Sequence, residues 1–204
     1  TNIEAVAAVE PDLVLATTGV QSDAIQQLED IGAVVVAVDP QTLEELYSSI
    51  VMVGEVTGTA EKADALVADM RAGIEYVSEL AAQEEPVACF IEIAQDPLFT
   101  AGSGILLDDL ITAAGGRNVV TEPGYVPYSL EQLLQDDPAV YLATLGSMSD
   151  PADLKERPGF EALSAVRNER VVVLEDNLVS RPGPRIVQGV GEIAVALHPG
   201  LFAE

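Results

Sequence analysis

The chain has 204 residues, 49% of them hydrophobic, which suits one large domain or two small ones. Thirty-four acids against nine lysines and arginines give a net charge of −25. That excludes the basic footprint a nucleic-acid binder needs and opposes contact with an anionic membrane; what remains is a solubilising surface, or acids that meet a basic protein partner.

In chain order, Asn2-Ile3-Glu4 reads as a capped helix start, and Glu10-Pro11-Asp12 as a turn into a strand over Asp12–Thr17. A helix over Ser22–Ile31 is stopped by Gly32, and a second strand, Ala33–Val38, ends at Asp39-Pro40. Thr42-Leu43-Glu44-Glu45 has capping-box spacing and opens a helix from Leu43 to about Val53. Strand–helix–strand order predicts a parallel α/β sheet, for which two strands are few.

The stretch from Thr59 to about Gln83 carries Ala63, Leu66, Val67, Met70, Ile74, Val77, Leu80 and Ala81 at gaps of three and four, one stripe along a long helix. Pro86 closes it. Beyond it the pattern predicts a strand over Val87–Ile93, with Cys89 as a core residue, then a loop over Gln95–Phe99. A helix over Ile105–Ala114 follows, stopped by Gly115-Gly116, then a short Val119-Val120 segment and a loop over Gly124–Tyr128. Ser129-Leu130-Glu131 opens a helix that leads to a strand over Val140–Thr144. Two short helices, to about Glu156 and from Pro158 through Val166, precede the strand Val171–Leu174. After the Asn177–Gly183 loop, Pro184 sits at the first turn of a final helix ending near His198-Pro199.

The most informative feature is a repeat. Glu4 through Thr17 and Glu131 through Thr144 align without a gap, each reading as capped helix, acidic-Pro turn and strand, and each is followed by a second strand. Two copies flanking a stiff helix point to two similar lobes: residues 1–56, a connecting helix over 57–85, and residues 86–204. By the repeat's own logic, a strand–helix–strand segment equivalent to residues 86–128 is expected ahead of residue 1, so the first lobe reads as truncated at its N-terminus. A homodimer or domain swap across the exposed sheet edge is the expected consequence.

Enzyme signatures are weak. The single histidine, His198, sits at a helix end; there is no Gly-x-Ser-x-Gly elbow, phosphate-loop lysine or Gly-x-Gly-x-x-Gly fingerprint. One histidine also excludes a bare multi-histidine metal site, so no metal cofactor is expected and any metal arrives already chelated. Open parallel sheets bind ligands beyond the carboxyl ends of their strands, here Thr17-Thr18-Gly19, Gln95–Phe99, Leu145–Ser149 and Asn177–Gly183. Phe99, Tyr125 and Tyr128 are drawn from only four Phe and five Tyr, without Trp, and all sit in candidate loops, where ligand contact and loop-anchoring packing are equally good readings. Arg181 and Arg185 flank a Pro182-Gly183-Pro184 turn, and read either as a structural salt bridge or as capture of a ligand carboxylate.

Pro11-Asp12-Leu13-Val14, Pro97-Leu98-Phe99-Thr100-Ala101-Gly102, Gly115-Gly116-Arg117-Asn118-Val119, and Arg181-Pro182-Gly183-Pro184-Arg185 with Leu197-His198-Pro199 together carry a resemblance. Over essentially its whole length the chain resembles the helical-backbone (class III) periplasmic solute-binding proteins of ABC importers for cobalamin, ferric siderophores and haem. The resemblance implies an α/β fold of two Rossmann-like lobes joined by one long α-helix, with a metal-chelate ligand clamped in the cleft between them. The positions it implies for the ligand wall are Thr17, Phe99, Tyr125, Asn177 and Arg181, beside the candidates Tyr128 and Arg185. Thr17 stands where cobalamin binders tend to place a large aromatic. It further implies that Glu4 and Glu131, one per copy of the repeat, dock against arginines of an ABC permease; a helix-dipole role accounts for one such glutamate, but less well for the same placement in both copies. No secretory signal is legible in these residues, so the chain reads as cytoplasmic or as a processed or trimmed form; the resemblance implies an extracytoplasmic protein, in the periplasm or as a cell-surface lipoprotein. An α/β enzyme or regulatory domain acting on a small molecule without transport is the alternative.

Overall fold

The computed structural model describes residues 1–19, 21–144 and 148–202. These fall into two compact units, Thr1–Pro40 and Gln41–Glu204.

In the first unit, helix α1 (Ile3–Ala7) is capped by Asn2, whose side-chain oxygen accepts the Ala5 N–H at 3.0 Å. Strand β1 (Val14–Ala16) follows, then helix α2 (Ser22–Asp30) and strand β2 (Val35–Ala37). The two strands pair in parallel, Leu15 opposite Val36, as the strand–helix–strand order predicts. Among the described residues of this unit only Leu28 is fully buried.

The second unit opens with helix α3 (Leu43–Val56) and the long helix α4 (Ala60–Ala81). The Thr42 hydroxyl accepts the Glu45 N–H at 3.2 Å, and the Glu45 carboxylate accepts the Gln41 N–H at 2.7 Å, one residue earlier than a standard capping box. Of the expected stripe, helix α4 buries Ala63, Met70, Ile74 and Ala81 and half-buries Val67, Val77 and Leu80, while Leu66 is exposed. At its N-cap, Thr59 makes no side-chain bond to the helix; its hydroxyl pairs with that of Thr57 at 2.9 Å. Gly54 lets α3 turn tightly into α4, since a Cβ there would lie 2.3 Å from that of Ala63.

The unit boundary differs from the expected lobe limit at residue 56. Helix α3 buries Leu46 and Tyr47 in the same core cluster as Met70 and Ile74, and the Leu43 N–H donates to Asp109 at 2.8 Å. Apolar burial therefore ties residues 41–85, the long helix among them, to the larger unit.

The larger sheet consists of β3 (Val87–Gln95), β4 (Leu98–Ala101), β5 (Gly116–Asn118), β6 (Tyr125–Pro127), β7 (Val140–Thr144) and β8 (Val171–Leu174), ordered β6-β4-β3-β7-β8 with β5 beside the start of β3. Strands β3, β7 and β8 are parallel; β4 returns antiparallel to β3, and β6 is antiparallel to β4. Alternation along the strands splits the core. Cys89, Ile91, Val140 and Leu142 face a cluster with α4, helix α5 (Leu106–Ala113) and helix α9 (Ile186–Leu197). Phe90, Tyr141 and Ala143 face the other, built on helix α6 (Leu130–Asp136), the turns at Leu154 and Phe160, and helix α7 (Ser164–Arg167). Covering both faces is what a parallel sheet requires.

Two segments read as loops contain strand residues. Phe99 lies in β4, and Gly124–Tyr128 contains β6, where Pro127 is tolerated because β6 is the sheet edge. The Asn177–Gly183 loop likewise begins inside a short helix, α8 (Asp176–Val179), and α10 (Pro199–Phe202) ends the described chain. His198 is buried, and its Nε2 lies 3.0 Å from the Gly115 carbonyl oxygen. Gly115 itself has φ +79°, and any Cβ there would meet His198 at 2.7 Å. Burial pushes the Cys89 thiol up to about 12, consistent with a core role.

The repeat survives at the level of single backbone angles. Ser129 caps α6 by accepting the Gln132 N–H at 3.1 Å, matching Asn2 on α1. Each copy then turns through a non-glycine residue with positive φ at the equivalent place, Glu10 at 45° and Asp137 at 36°. Each ends in a strand paired in parallel with the next, β1 with β2 and β7 with β8.

Candidate ligand-binding site

At the carboxyl ends of β3 and β7 the larger unit has two cavities that share Met148 and Ser149. One, about 540 Å³, is lined by Ala94, Gln95, Asp96, Pro97, Phe99 and Asp150 with the shared pair. The other, about 300 Å³, is lined by Ile93, Leu107, Tyr125, Thr144, Asp176 and Ser180 with the same two residues. The β3–β4 hairpin aims Phe99 at the first; β6, pairing Tyr125 with Ala101, sets Tyr125 at the second. Tyr125 is 52% exposed, and its partial burial raises the phenol pKa, so it stays a neutral hydroxyl donor at physiological pH. Met148 adds a thioether that is 61% exposed. The walls thus offer an aromatic face, a phenol, a soft sulfur and several polar side chains, fit for a sizeable, mainly apolar ligand.

A buried polar cluster underlies these walls. Glu92 in β3 is fully buried, and its carboxylate accepts from the Tyr141 phenol at 2.5 Å, the Ser149 hydroxyl at 2.5 Å and the Arg157 guanidinium at 2.5 and 3.3 Å. Sequence reasoning passed over Glu92 among the many acids. The available signal was a carboxylate between Ile91 and Ile93 in an otherwise apolar strand.

Not all the expected residues gather here. Tyr128 is half-buried beyond β6; its ring packs 5.6 Å from that of Phe90, its hydroxyl donates to Asp136, and it lines a separate cavity of about 190 Å³. Asn177 and Arg181 line a groove of about 1010 Å³ formed by β8, α8 and α9, with Asn177 bonded to the Glu175 carboxylate at 2.9 Å. Arg185 is the exposed N-cap residue of α9. Among the described residues neither Arg181 nor Arg185 has an ion pair, so the salt-bridge reading finds no partner there. Thr17 follows β1 in the first unit, exposed, with its N–H donating to the Gln21 side chain at 2.8 Å. Of the Leu145–Ser149 loop, residues 145–147 lie outside the described set. Glu4 and Glu131 are exposed in the first turns of α1 and α6. Among the described residues no cluster of His, Cys, Asp and Glu is arranged to hold a bare metal ion, and no helix is long and apolar enough to cross a membrane.

Comparison with known proteins gives this arrangement a context. The "uncharacterized ABC transporter substrate-binding lipoprotein YvrC" of Bacillus subtilis is 33% identical over all of this chain, which spans 67% of that protein. A "cobalamin-binding protein" of Halobacterium salinarum is 28% identical over 97% of the chain, which spans 56% of it. A solved "periplasmic heme binding protein" from Pseudomonas aeruginosa superposes with a TM-score of 0.85 at 28% identity, covering 97% of this chain and 76% of its own. The model of the periplasmic binding protein family matches residues 1–178, and with the fold, the repeat and the YvrC likeness it makes this chain a member of the periplasmic binding protein family.

Proposed function

We infer that this protein is the substrate-binding component of an ABC importer, which reversibly binds a metal-chelate ligand (a ferric siderophore, a corrinoid or haem) and delivers it to a membrane permease. The observation that carries this reading is the pair of cavities at the carboxyl ends of β3 and β7, presenting Phe99, Tyr125 and Met148 to one region. Aromatic and sulfur-bearing walls suit a broad, partly apolar macrocycle or chelate, and the metal comes with the ligand rather than from the protein. Relatives described as cobalamin-binding and heme-binding support the ligand class. The lipoprotein relative supports an extracytoplasmic location, and family membership favours transport over an α/β enzyme or regulatory domain. Glu4 and Glu131 are the permease contacts in this reading, matched in position, exposure and helix turn.

Titration of the protein with hemin, cyanocobalamin and ferrichrome, followed by visible absorbance, tests it. One of the three is expected to saturate at a single site, and Phe99→Ala and Tyr125→Ala are each expected to weaken it about tenfold. If none binds the folded protein in its full length, or if binding ignores both substitutions, the reading fails.

A further inference from the structure

We propose that Glu92 and Arg157 form a positioning pair that holds the cavity-lining segments 94–99 and 148–150 in place and so sets the affinity of the ligand face. The inference rests on the reading of that face given above for its functional half, but its geometric half stands apart. A carboxylate and guanidinium withdrawn from water, with side-chain exposures of 0% and 13%, are a poor source of net stability, because desolvation costs several kcal/mol per ion. Apolar side chains of similar volume would fill the space at least as well. The bonds leaving the pair show what it does instead.

Several of the links lead to segments that line the cavity of about 540 Å³. Arg157 Nη2 donates to the Gln95 side-chain oxygen at 2.7 Å and to the Asp150 carbonyl at 2.8 Å. The same Gln95 oxygen accepts the Asp150 N–H at 2.9 Å, while the Gln95 N–H donates to the Met148 carbonyl at 2.9 Å. Ser149, which both cavities share, is held by Glu92 directly. A bulge in β3 between Glu92 and Ala94 breaks the ladder just where the strand departs toward the cavity. Tyr141 anchors the carboxylate from β7, and burial followed by the neighbouring Glu92 charge keeps its phenol protonated, so the donor is constant across physiological pH. Planarity matters in this design. A guanidinium can serve Glu92, Gln95 and Asp150 together through its fork, whereas an ammonium on a flexible stem cannot.

The test uses Arg157→Lys, which keeps a cation beside Glu92 but removes the fork, and the neutral pair Glu92→Gln with Arg157→Met. Amide exchange at Gln95 and Asp150, measured by NMR without ligand, is the first readout; affinity for whichever of hemin, cyanocobalamin or ferrichrome binds the parent is the second. Arg157→Lys is expected to melt close to the parent, yet to exchange both amides about tenfold faster and to bind the probe about tenfold more weakly. If Arg157→Lys leaves both amides protected, the pair is merely structural and the proposal is overturned. Faster exchange with unchanged probe affinity overturns its second half. Should the neutral pair fail to fold, Arg157→Lys still decides. Failure of all three probes on the parent would instead count against the transport reading, and the exchange result would continue to judge the geometry.

Discussion

Leu15 and Leu142 hold the same place in the two copies of the repeat, yet Leu15 is 51% exposed in β1 while Leu142 is completely buried in β7. Their local settings match: a capped helix, a residue with positive φ, a proline, and a strand paired in parallel with the next. The neighbourhoods do not. Strand β7 lies inside a sheet with β3 and β8 on its two sides, whereas among the described residues β1 pairs only with β2. Short-range sequence thus dictates backbone shape, and burial is added by whatever elements surround it.

The largest effect expected from testing this equivalence concerns the paired glutamates. Reversing both, Glu4→Lys with Glu131→Lys, is expected to abolish uptake in reconstituted vesicles containing the permease, while ligand affinity stays within about twofold. Two single variants with unequal losses would show that the copies do not share the load, and a loss of ligand binding would contradict a docking role for either.

Next come the leucines. Leu142→Ala is expected to cost about 2–5 kcal/mol in urea unfolding, and Leu15→Ala less than about 1 kcal/mol. Equal costs would mean that the two strands are buried alike in solution and would break the contrast.

The turn residues sharpen it further. Glu10→Gly should gain about 0.5–1 kcal/mol by removing a left-handed penalty. Asp137→Gly gains the same relief but forfeits two bonds, in which its carboxylate accepts the Ser164 N–H at 2.7 Å and the Ser164 hydroxyl at 2.6 Å. A net loss of about 1 kcal/mol is expected there, reduced by solvent exposure.

The smallest effect is in pH. The Ser164 hydroxyl, then its backbone N–H, hold the Asp137 carboxyl below its ordinary 3.8. A depressed folded-state pKa means that the carboxylate's contribution is present above 3.8 and disappears as pH falls through the lowered value. The stability gap between the parent and Asp137→Asn should therefore be level at neutral pH and close only in strong acid. A gap that closed nearer pH 6 would assign the effect to another group.

Legibility followed the range of the physics involved. Helix α4 and both repeat copies were readable because periodicity, caps and acidic-Pro turns act within a few residues. The membership of α3 was not, since what draws Leu46 and Tyr47 to Met70 and Ile74 is tertiary burial. Strand β6 hid behind Gly124 and Pro127, which signal turns locally but suit an edge strand once β4 is alongside. Residue type and position put Phe99, Tyr125 and Tyr128 near strand ends, but an aromatic there gives no hint of which face it will take: Phe99 and Tyr125 line the paired cavities, and Tyr128 lines another. Glu92 and Arg157 lie 65 residues apart in sequence, and no local pattern joins them.

The sealed position of Cys89 has a practical corollary. Its sulfur is fully enclosed and, with its thiol raised to about 12, offers almost no thiolate to alkylating reagents near neutrality. A second cysteine introduced on an exposed helix could therefore be tagged with a maleimide fluorophore while the native one stays silent. Conformational reporting on this protein needs no prior removal of its own sulfhydryl.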